Sequence, residues 1–169
     1  MTATATTTDT IAFHRALTEL VRVYQFRDRD RICCYDVSVT QCYALEALVL
    51  RGPLTLNDLA AELYLDKSTA SRVVDGLEKK GYAARQTHPE SRRSVLLAAT
   101  GSGRDLHARI EADIVAGEEQ LLSEFAPGVR ESMTRLIERL ARAAAARIDT
   151  SGGTCCTVEP LTQLQPRKS

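Results

Sequence analysis

Three helix-starting signals lie within about 30 residues of one another, and they constrain the fold more than any other feature of this chain. Ser38-Val-Thr-Gln41 has the form of a capping box, Thr55-Leu-Asn-Asp58 repeats it, and Asp66 precedes a third stretch with helical periodicity. The helix that begins at Ser38 must stop at Gly52-Pro53. Gly81 is placed to end the helix that begins at Asp66, in a left-handed conformation. The sequence therefore predicts three short consecutive helices.

The apolar pattern changes its period after residue 81. "YAARQTH" (82–88) and "SVLLAAT" (94–100) are typical of two short strands, and "PESRR" (89–93) between them is typical of a turn. Short capped helices followed by a hairpin predict a winged helix-turn-helix over residues 38–100. The expected fold class is mainly α, with a small two- or three-stranded β wing.

Longer helical patterns flank this module on both sides. One covers residues 9–27 and is followed by a charged run, "RDRDR" (27–31), that we expect to be a solvated break. Another begins after Thr100, and Pro127 marks the first turn of the last helix. Their apolar faces exceed what a small wing domain covers, which predicts a homodimer built from helices 9–30 and 101–148. A single domain is expected over 9–148, with disordered residues at 1–8 and a flexible tail at 149–169.

Overall composition excludes several classes of protein. The chain has 22 basic and 22 acidic residues among 169, so its formal net charge is zero and no global charge favours nucleic acid or membrane. The N-terminus lacks the basic and apolar regions of a signal peptide, and no apolar run approaches the roughly 18 residues of a membrane span. We expect a cytoplasmic protein with no membrane association. Five cysteines in that compartment are more typical of thiols or metal ligands than of structural disulfides.

Local charge does favour nucleic acid. Residues 66–93 contain seven bases and four acids, so this segment carries +3 while the rest of the chain carries −3. Short hydroxyl side chains let a helix enter the major groove, and an arginine can bind a guanine edge with both ends of its fork. Arginines at the tip of a wing are suited to the negative potential of the minor groove. The predicted DNA-binding residues are Lys67, Ser68, Thr69, Ser71, Arg72, Arg92 and Arg93. An ordinary solvated surface helix is the alternative for residues 66–81.

The stretch "TLNDLAAELYLDKSTASRVVDGLEKKGYAARQTHPESRRSVLLAATGSG" (55–103) resembles the MarR-type winged-helix transcriptional regulators. The similarity extends more weakly over residues 10–148. It implies an obligate homodimer that binds a pseudo-palindromic operator in double-stranded DNA, most simply as a repressor, and is released by a ligand or an oxidant. The wing departs from the family pattern, since His88-Pro-Glu90 stands where an aspartate often precedes the arginines.

The cysteines are the candidate effector site. Cys33, Cys34 and Cys42 lie within ten positions, in a segment that the resemblance places near the dimer interface, and a second adjacent pair, Cys155-Cys156, lies in the tail. Cys42 is expected near the positive end of its helix, which favours the thiolate. Three thiolates suit a thiophilic ion, such as trivalent arsenic or antimony or divalent mercury, while no obligatory cofactor is expected. Two alternatives stay open: thiol redox sensing of peroxide or electrophiles, and buried structural cysteines in a regulator with a small organic ligand.

Catalysis is not expected. A cysteine nucleophile needs a neighbouring base with an orienting partner, and the three histidines are scattered through the sequence without that spacing. The adjacent cysteine pairs also lack the C-x-x-C form of dithiol oxidoreductases.

Overall fold

The computed structural model describes residues 6–32, 34–88 and 91–150 of the chain. Within these ranges the elements follow in the order α1 (Thr7–Ile32), α2 (Val39–Leu50), β1 (Leu54–Thr55), α3 (Leu56–Glu62), α4 (Lys67–Lys79), β2 (Ala83–His88), β3 (Ser91–Ala99), α5 (Gly101–Leu122) and α6 (Pro127–Thr150). The strands form one antiparallel sheet in the order β1-β3-β2, so the expected wing exists and has three strands. None of the described helices is long and apolar enough to cross a membrane.

The predicted caps form as expected from the sequence. Ser38 Oγ accepts a hydrogen bond from the backbone N–H of Gln41 at 3.2 Å, and Gln41 Oε1 accepts one from the backbone N–H of Ser38 at 3.1 Å, which completes the capping box of α2. Thr55 and Asp66 cap α3 and α4 in the same way. Gly81 follows the end of α4 with a φ of +75°, a conformation that a side chain would disfavour.

The core lies around α2. Ala44, Leu45, Ala47 and Leu48 of this helix are all buried, because α2 is covered on several sides. The residues packed around them come from every other element near the wing: Ile32, Leu59, Val74, Leu77, Leu97, Leu106 and Ile110. Only a narrow side of α2 with Tyr43, Glu46 and Leu50 is exposed, which agrees with the largely apolar sequence of this helix.

The prediction of a solvated break at 27–31 is wrong, because α1 continues to Ile32. Arg27 pairs with Glu118 of α5, and Arg31 Nη1 donates to the backbone carbonyl of Asp113 at 2.6 Å. A Cβ at Gly117 would overlap the Arg31 guanidinium, so the missing side chain makes room for it. Arginines of the charged run therefore contact α5, and these contacts favour a helix that continues through the run.

Three other expected boundaries also differ. Residues 1–8 were expected to be disordered, but Thr6 caps α1 by bonding to Asp9, and the helix begins at Thr7. The turn of the wing is shorter than 89–93, since β3 begins at Ser91. At the other end α6 extends to Thr150. By its internal contacts the chain divides into two compact units, Met1–Glu119 and Gln120–Ser169.

Candidate nucleic-acid interface and thiol segment

The first turn of α4 is organised by the carboxylate of Asp66. This group accepts hydrogen bonds from Ser68 Oγ at 2.6 Å, Thr69 N at 2.9 Å and Thr69 Oγ1 at 2.7 Å. The hydrogen bond from Ser68 is the largest of the causes that hold the pKa of Asp66 well below its usual range. Both hydroxyls keep their oxygen lone pairs available as acceptors, so the turn stays rigid while it can still accept from a ligand.

Helix α4 has one buried face and one exposed face. Ala70, Val74 and Leu77 are buried in the core. Val73, beside them, is only half-buried. Most of the predicted contact residues lie on the other side: Lys67, Ser68 and Arg72 are exposed, while Thr69 and Ser71 are half-buried. This face offers a row of short polar groups with one guanidinium beside them.

The basic segment presents fewer available cations than its sequence indicates. Arg85 of β2 binds Asp75 at 2.9 Å and also pairs with Glu78, both on α4. The hydrogen bond with Asp75 is the main cause that raises the pKa of Arg85. Lys80 is directed toward the start of α2. Three of the four acids of the segment thus serve internal contacts, and Lys67, Arg72 and Lys79 remain exposed on α4.

The backbone of Arg92 and Arg93 belongs to β3 near the tip of the wing. Their side chains lie outside the described part of the chain. The assignment of these two residues to a DNA groove stays a prediction.

The described cysteines occupy different environments. Cys34 is exposed just after α1, and its Sγ lies 4.0 Å from the backbone carbonyl of Asp30. Cys42 is 6% exposed and belongs to the hydrophobic core. Cys33, Cys155 and Cys156 lie outside the described residues. Within the described ranges, no three side chains of histidine, cysteine, aspartate or glutamate converge as metal ligands.

A cavity of about 230 Å³ opens beside Cys42, between α2 and α5. Its walls are apolar near Ile32 and Ile110 and polar near Glu46 and His107. His107 is the one polar or charged residue that is buried among those described, and its Nδ1 lies 3.8 Å from Glu111 Oε2. Cys42 is thus one of the lining residues of this cavity although it is not a surface residue.

An apolar face runs along most of α1. Its large side chains are between 36% and 51% exposed: Phe13, Leu17, Leu20 and Val23. Ile11, Val21 and Phe26 are also exposed, on other sides of the helix. Separately, in the second unit, α6 exposes Val129, Leu136, Ile137 and Leu140. Soluble monomers rarely expose contiguous apolar area on this scale.

Several polar contacts of the segment between α1 and α2 were missed by sequence reasoning. The Tyr35 hydroxyl donates to Asp113 Oδ2, and the ring of Tyr35 lies 6.0 Å from the Arg109 guanidinium. That hydrogen bond is the largest cause that raises the pKa of Tyr35. The partners are more than 70 positions apart in sequence, so neither periodicity nor motif spacing contains a signal for them.

Comparison with known proteins confirms the family resemblance. Residues 35–94 match the sequence model of the MarR family. The putative transcriptional regulatory protein for the hcr operon of Thauera aromatica is 30% identical over 101 residues, which are 59% of this chain and 61% of that protein. The regulator SarZ of Staphylococcus saprophyticus is 28% identical over 99 residues, 59% of this chain and 65% of that protein. The chain thus spans somewhat less than two thirds of these relatives.

Solved structures confirm the fold class. A MarR family protein from Bacillus stearothermophilus matches with a TM-score of 0.73 and 22% identity, over 83% of this chain and 99% of that one. A MarR transcriptional regulator from Methanosarcina mazei matches with a TM-score of 0.68 and 26% identity, over 78% of this chain and 95% of that one. The winged-helix fold predicted from the caps and the hairpin is correct.

Proposed function

Since residues 35–94 are a MarR-family winged-helix domain, we propose that this chain is a homodimeric DNA-binding transcriptional regulator. It acts as a repressor at a pseudo-palindromic operator. The observation that carries the proposal is the exposed polar face of α4, where Lys67, Ser68 and Arg72 project from a helix whose opposite face is buried in the core. A rigid helix with that division is the form of a recognition element in the major groove.

The chemistry of this face suits DNA. Arg72 is exposed and has the fork that binds a guanine edge, and its Nε makes only a 3.4 Å bond to the carbonyl of Ser68. The carboxylate of Asp66 would repel phosphates, but its hydrogen bonds to Ser68 and Thr69 and the positive end of α4 offset that charge. Lys67 adds a phosphate contact. Arg92 and Arg93 extend the interface into the adjacent minor groove.

Dimerisation follows from the apolar face of α1. A second copy of the chain is the simplest occupant, because a two-fold interface brings the same exposed apolar residues together from both copies. The dimer also supplies the second recognition helix that a palindromic operator needs. The two helices must lie about 34 Å apart to enter successive major grooves on one side of the duplex.

DNA binding is tested by fluorescence anisotropy on the DNA upstream of the protein's own coding region, at several salt concentrations. The affinity of the wild type must fall steeply as salt rises, because bound phosphates release counterions. Arg72→Ala should weaken binding most at one base position of each half-site, by about 1–3 kcal/mol. Arg142→Ala is the matched control, since Arg142 is an exposed arginine of α6 with a side chain that is 72% exposed. Salt-independent binding, or equal losses in both variants, would contradict the proposal.

The wing makes a different prediction. Arg92→Ala should weaken binding to all sequences by a similar factor, since a minor-groove arginine responds to groove width rather than to one base. A loss confined to one base position would show that Arg92 reads a base edge instead.

For the effector, we propose a thiophilic ion that binds cysteine thiolates and releases the DNA. Adjacent Cys33 and Cys34 support this because the two thiols are neighbours in sequence and Cys34 is exposed. The burial of Cys42 implies that it joins the site only if the start of α2 opens, or that Cys155 and Cys156 supply the further sulfurs. Each As–S bond would form as an As–OH bond of arsenite breaks, and the hydroxide would leave as water with the thiol proton.

The effector is tested with reduced protein on operator DNA, without oxygen, by titration with arsenite and then with mercury. Release by the wild type but not by a Cys33→Ser/Cys34→Ser variant supports a thiolate switch, and Cys42→Ser reports whether the buried thiol takes part. Release by peroxide alone would favour the redox alternative, in which a sulfenic acid condenses with a second thiol and water leaves. A response that survives removal of all five thiols would favour an organic ligand, for which the cavity beside Cys42 offers space.

A further inference from the structure

The segment between α1 and α2 is held to α5 at its first half. Tyr35 donates its hydroxyl proton to Asp113 Oδ2, and Arg109 lies over the Tyr35 ring. Backbone bonds fix the same residues, from Tyr35 N to the Ile32 carbonyl at 2.9 Å and from Val37 N to the Tyr35 carbonyl at 2.8 Å. The segment is therefore a bonded turn with a defined position on α5.

Asp36, which follows Tyr35, holds the same segment to the end of α4. Lys80, at the C-terminal end of the recognition helix, donates from Nζ to the backbone carbonyl of Asp36 at 2.5 Å and to Gln41 Oε1 at 3.2 Å. Its ammonium also lies 3.4 Å from the Asp36 carboxylate. Gln41 is the residue that completes the capping box of α2 with Ser38, so Lys80 bonds directly to the start of that helix.

A glycine permits this approach of the two helices. A Cβ at Gly76 of α4 would overlap the amide end of the Gln41 side chain. On the far side of Lys80, the carbonyl of Gly81 accepts a hydrogen bond from Thr100 Oγ1 at 2.7 Å, just before α5. The C-terminal end of the recognition helix is thus fixed both to the α1–α2 segment and to the start of α5.

We propose that Lys80 is a positioning residue for DNA binding, and that the Asp36–Lys80 contact sets the orientation of α4 on the rest of the winged helix. The proposal rests on the DNA-binding function proposed above. Lys80 belongs to the basic segment of the sequence, yet its ammonium faces three protein acceptors and its side chain is only 29% exposed. It acts on DNA through the position of α4, whereas exposed Lys79 beside it is the cation available to phosphate.

The same contacts also connect the residues that follow α1, among them Cys34, to the recognition helix. Cys34, Tyr35 and Asp36 are consecutive: the first is exposed, the second binds α5 and the third binds Lys80. Cys34 is therefore two residues from the backbone carbonyl that accepts from Lys80.

The test compares Lys80→Met, which keeps the length and the apolar stem of the side chain, with Lys79→Met, in which the loss of a cation available to phosphate should lower the salt slope. Operator affinity is measured by anisotropy across salt concentrations, and thermal unfolding is followed on the same samples. Lys80→Met should bind operator about tenfold more weakly, within the range by which residues that touch no ligand modulate coupling. Its salt dependence should keep the wild-type slope, because no phosphate contact is lost. Lys80→Arg, which retains the donors, should restore most of the affinity.

A second variant should change operator affinity in opposite directions under the two explanations, which are positioning of α4 and net charge. Asp36→Asn removes an acid, which by charge alone strengthens binding to DNA. It keeps the backbone carbonyl that accepts from Lys80 and removes only the carboxylate contact, so positioning predicts a loss of operator affinity smaller than that of Lys80→Met. This variant also serves if Lys80→Met fails to fold, because the Asp36 side chain is 74% exposed and its replacement leaves the core intact.

The outcomes are distinct. A salt slope that falls by about 2 in the Lys80→Met dimer would show a direct phosphate contact from each copy and overturn the inference. Unchanged affinity of Lys80→Met, or tighter binding by Asp36→Asn, would overturn it equally. If the wild type itself binds DNA without salt dependence, the proposed function fails.

Discussion

Gly103 lies where the wing meets α5, and its replacement by alanine tests a close approach between two backbone segments. It is buried at the start of α5, and its N–H donates to Thr100 Oγ1 at 3.0 Å. A Cβ at this position would overlap the carbonyl oxygen of Tyr82 and lie 3.1 Å from Leu45 Cδ1. The backbone of Tyr82 cannot move away easily, because both of its polar groups are bonded. The Tyr82 carbonyl accepts from Thr100 N at 3.0 Å, and the Tyr82 N–H donates to the Leu77 carbonyl at 2.9 Å.

Two opposing terms decide the magnitude. Alanine favours a helix over glycine by up to about 1 kcal/mol, whereas overpacking a filled site costs about 1–3 kcal/mol. The clash is with backbone rather than with a flexible side chain, so the cost should prevail and leave a net loss of about 1–2 kcal/mol. For a chain of 169 residues that corresponds to a fall in Tm of about 3–6 °C.

Thermal unfolding of Gly103→Ala, followed by circular dichroism at a fixed protein concentration, measures this loss. Gly101→Ala is the matched control, because it lies two residues away in the same helix and its Cβ would meet nothing within 4 Å. The control should keep or raise the Tm. If Gly103→Ala is as stable as the control, the contact between Tyr82 and α5 is not fixed and the reasoning fails.

Three further predictions concern the caps and the core. Ser38→Ala should lower the free energy of unfolding by about 1 kcal/mol in urea titrations, whereas Ser102→Ala, on the exposed start of α5, should change it little. Asp66→Ala should destabilise the fold at neutral pH, and its difference from wild type should shrink as the pH falls below about 4. The pKa of Asp66 is depressed from its ordinary 3.8, so its stabilisation is complete above that value and disappears as the folded carboxylate becomes protonated; an undiminished difference at low pH would contradict this. Leu45→Ala should cost about 2–5 kcal/mol because the side chain is fully buried, and Leu50→Ala, where the residue is 67% exposed, should cost far less.

The amino-acid sequence by itself determined the six helices, the hairpin and their order, although not the short strand β1. The caps at Ser38 and Asp66 and the stop at Gly81 act through bonds between residues a few positions apart, so their spacing contains the whole signal. The exposed polar face of α4 follows from the same periodicity that buries Val74 and Leu77. The fold class and the candidate recognition helix could therefore be predicted.

Only the tertiary structure decided which charges face solvent and which hold the molecule together. Arg31 appeared to belong to a solvated break, and Lys80 and Arg85 to a basic surface, yet each has its partner on another element. Cys42 was a candidate ligand by its position in the helix, but the packing of α2 buries it. An ion pair or a buried face forms between residues that are distant in sequence. It depends on how the helices pack, and neither composition nor periodicity specifies that geometry.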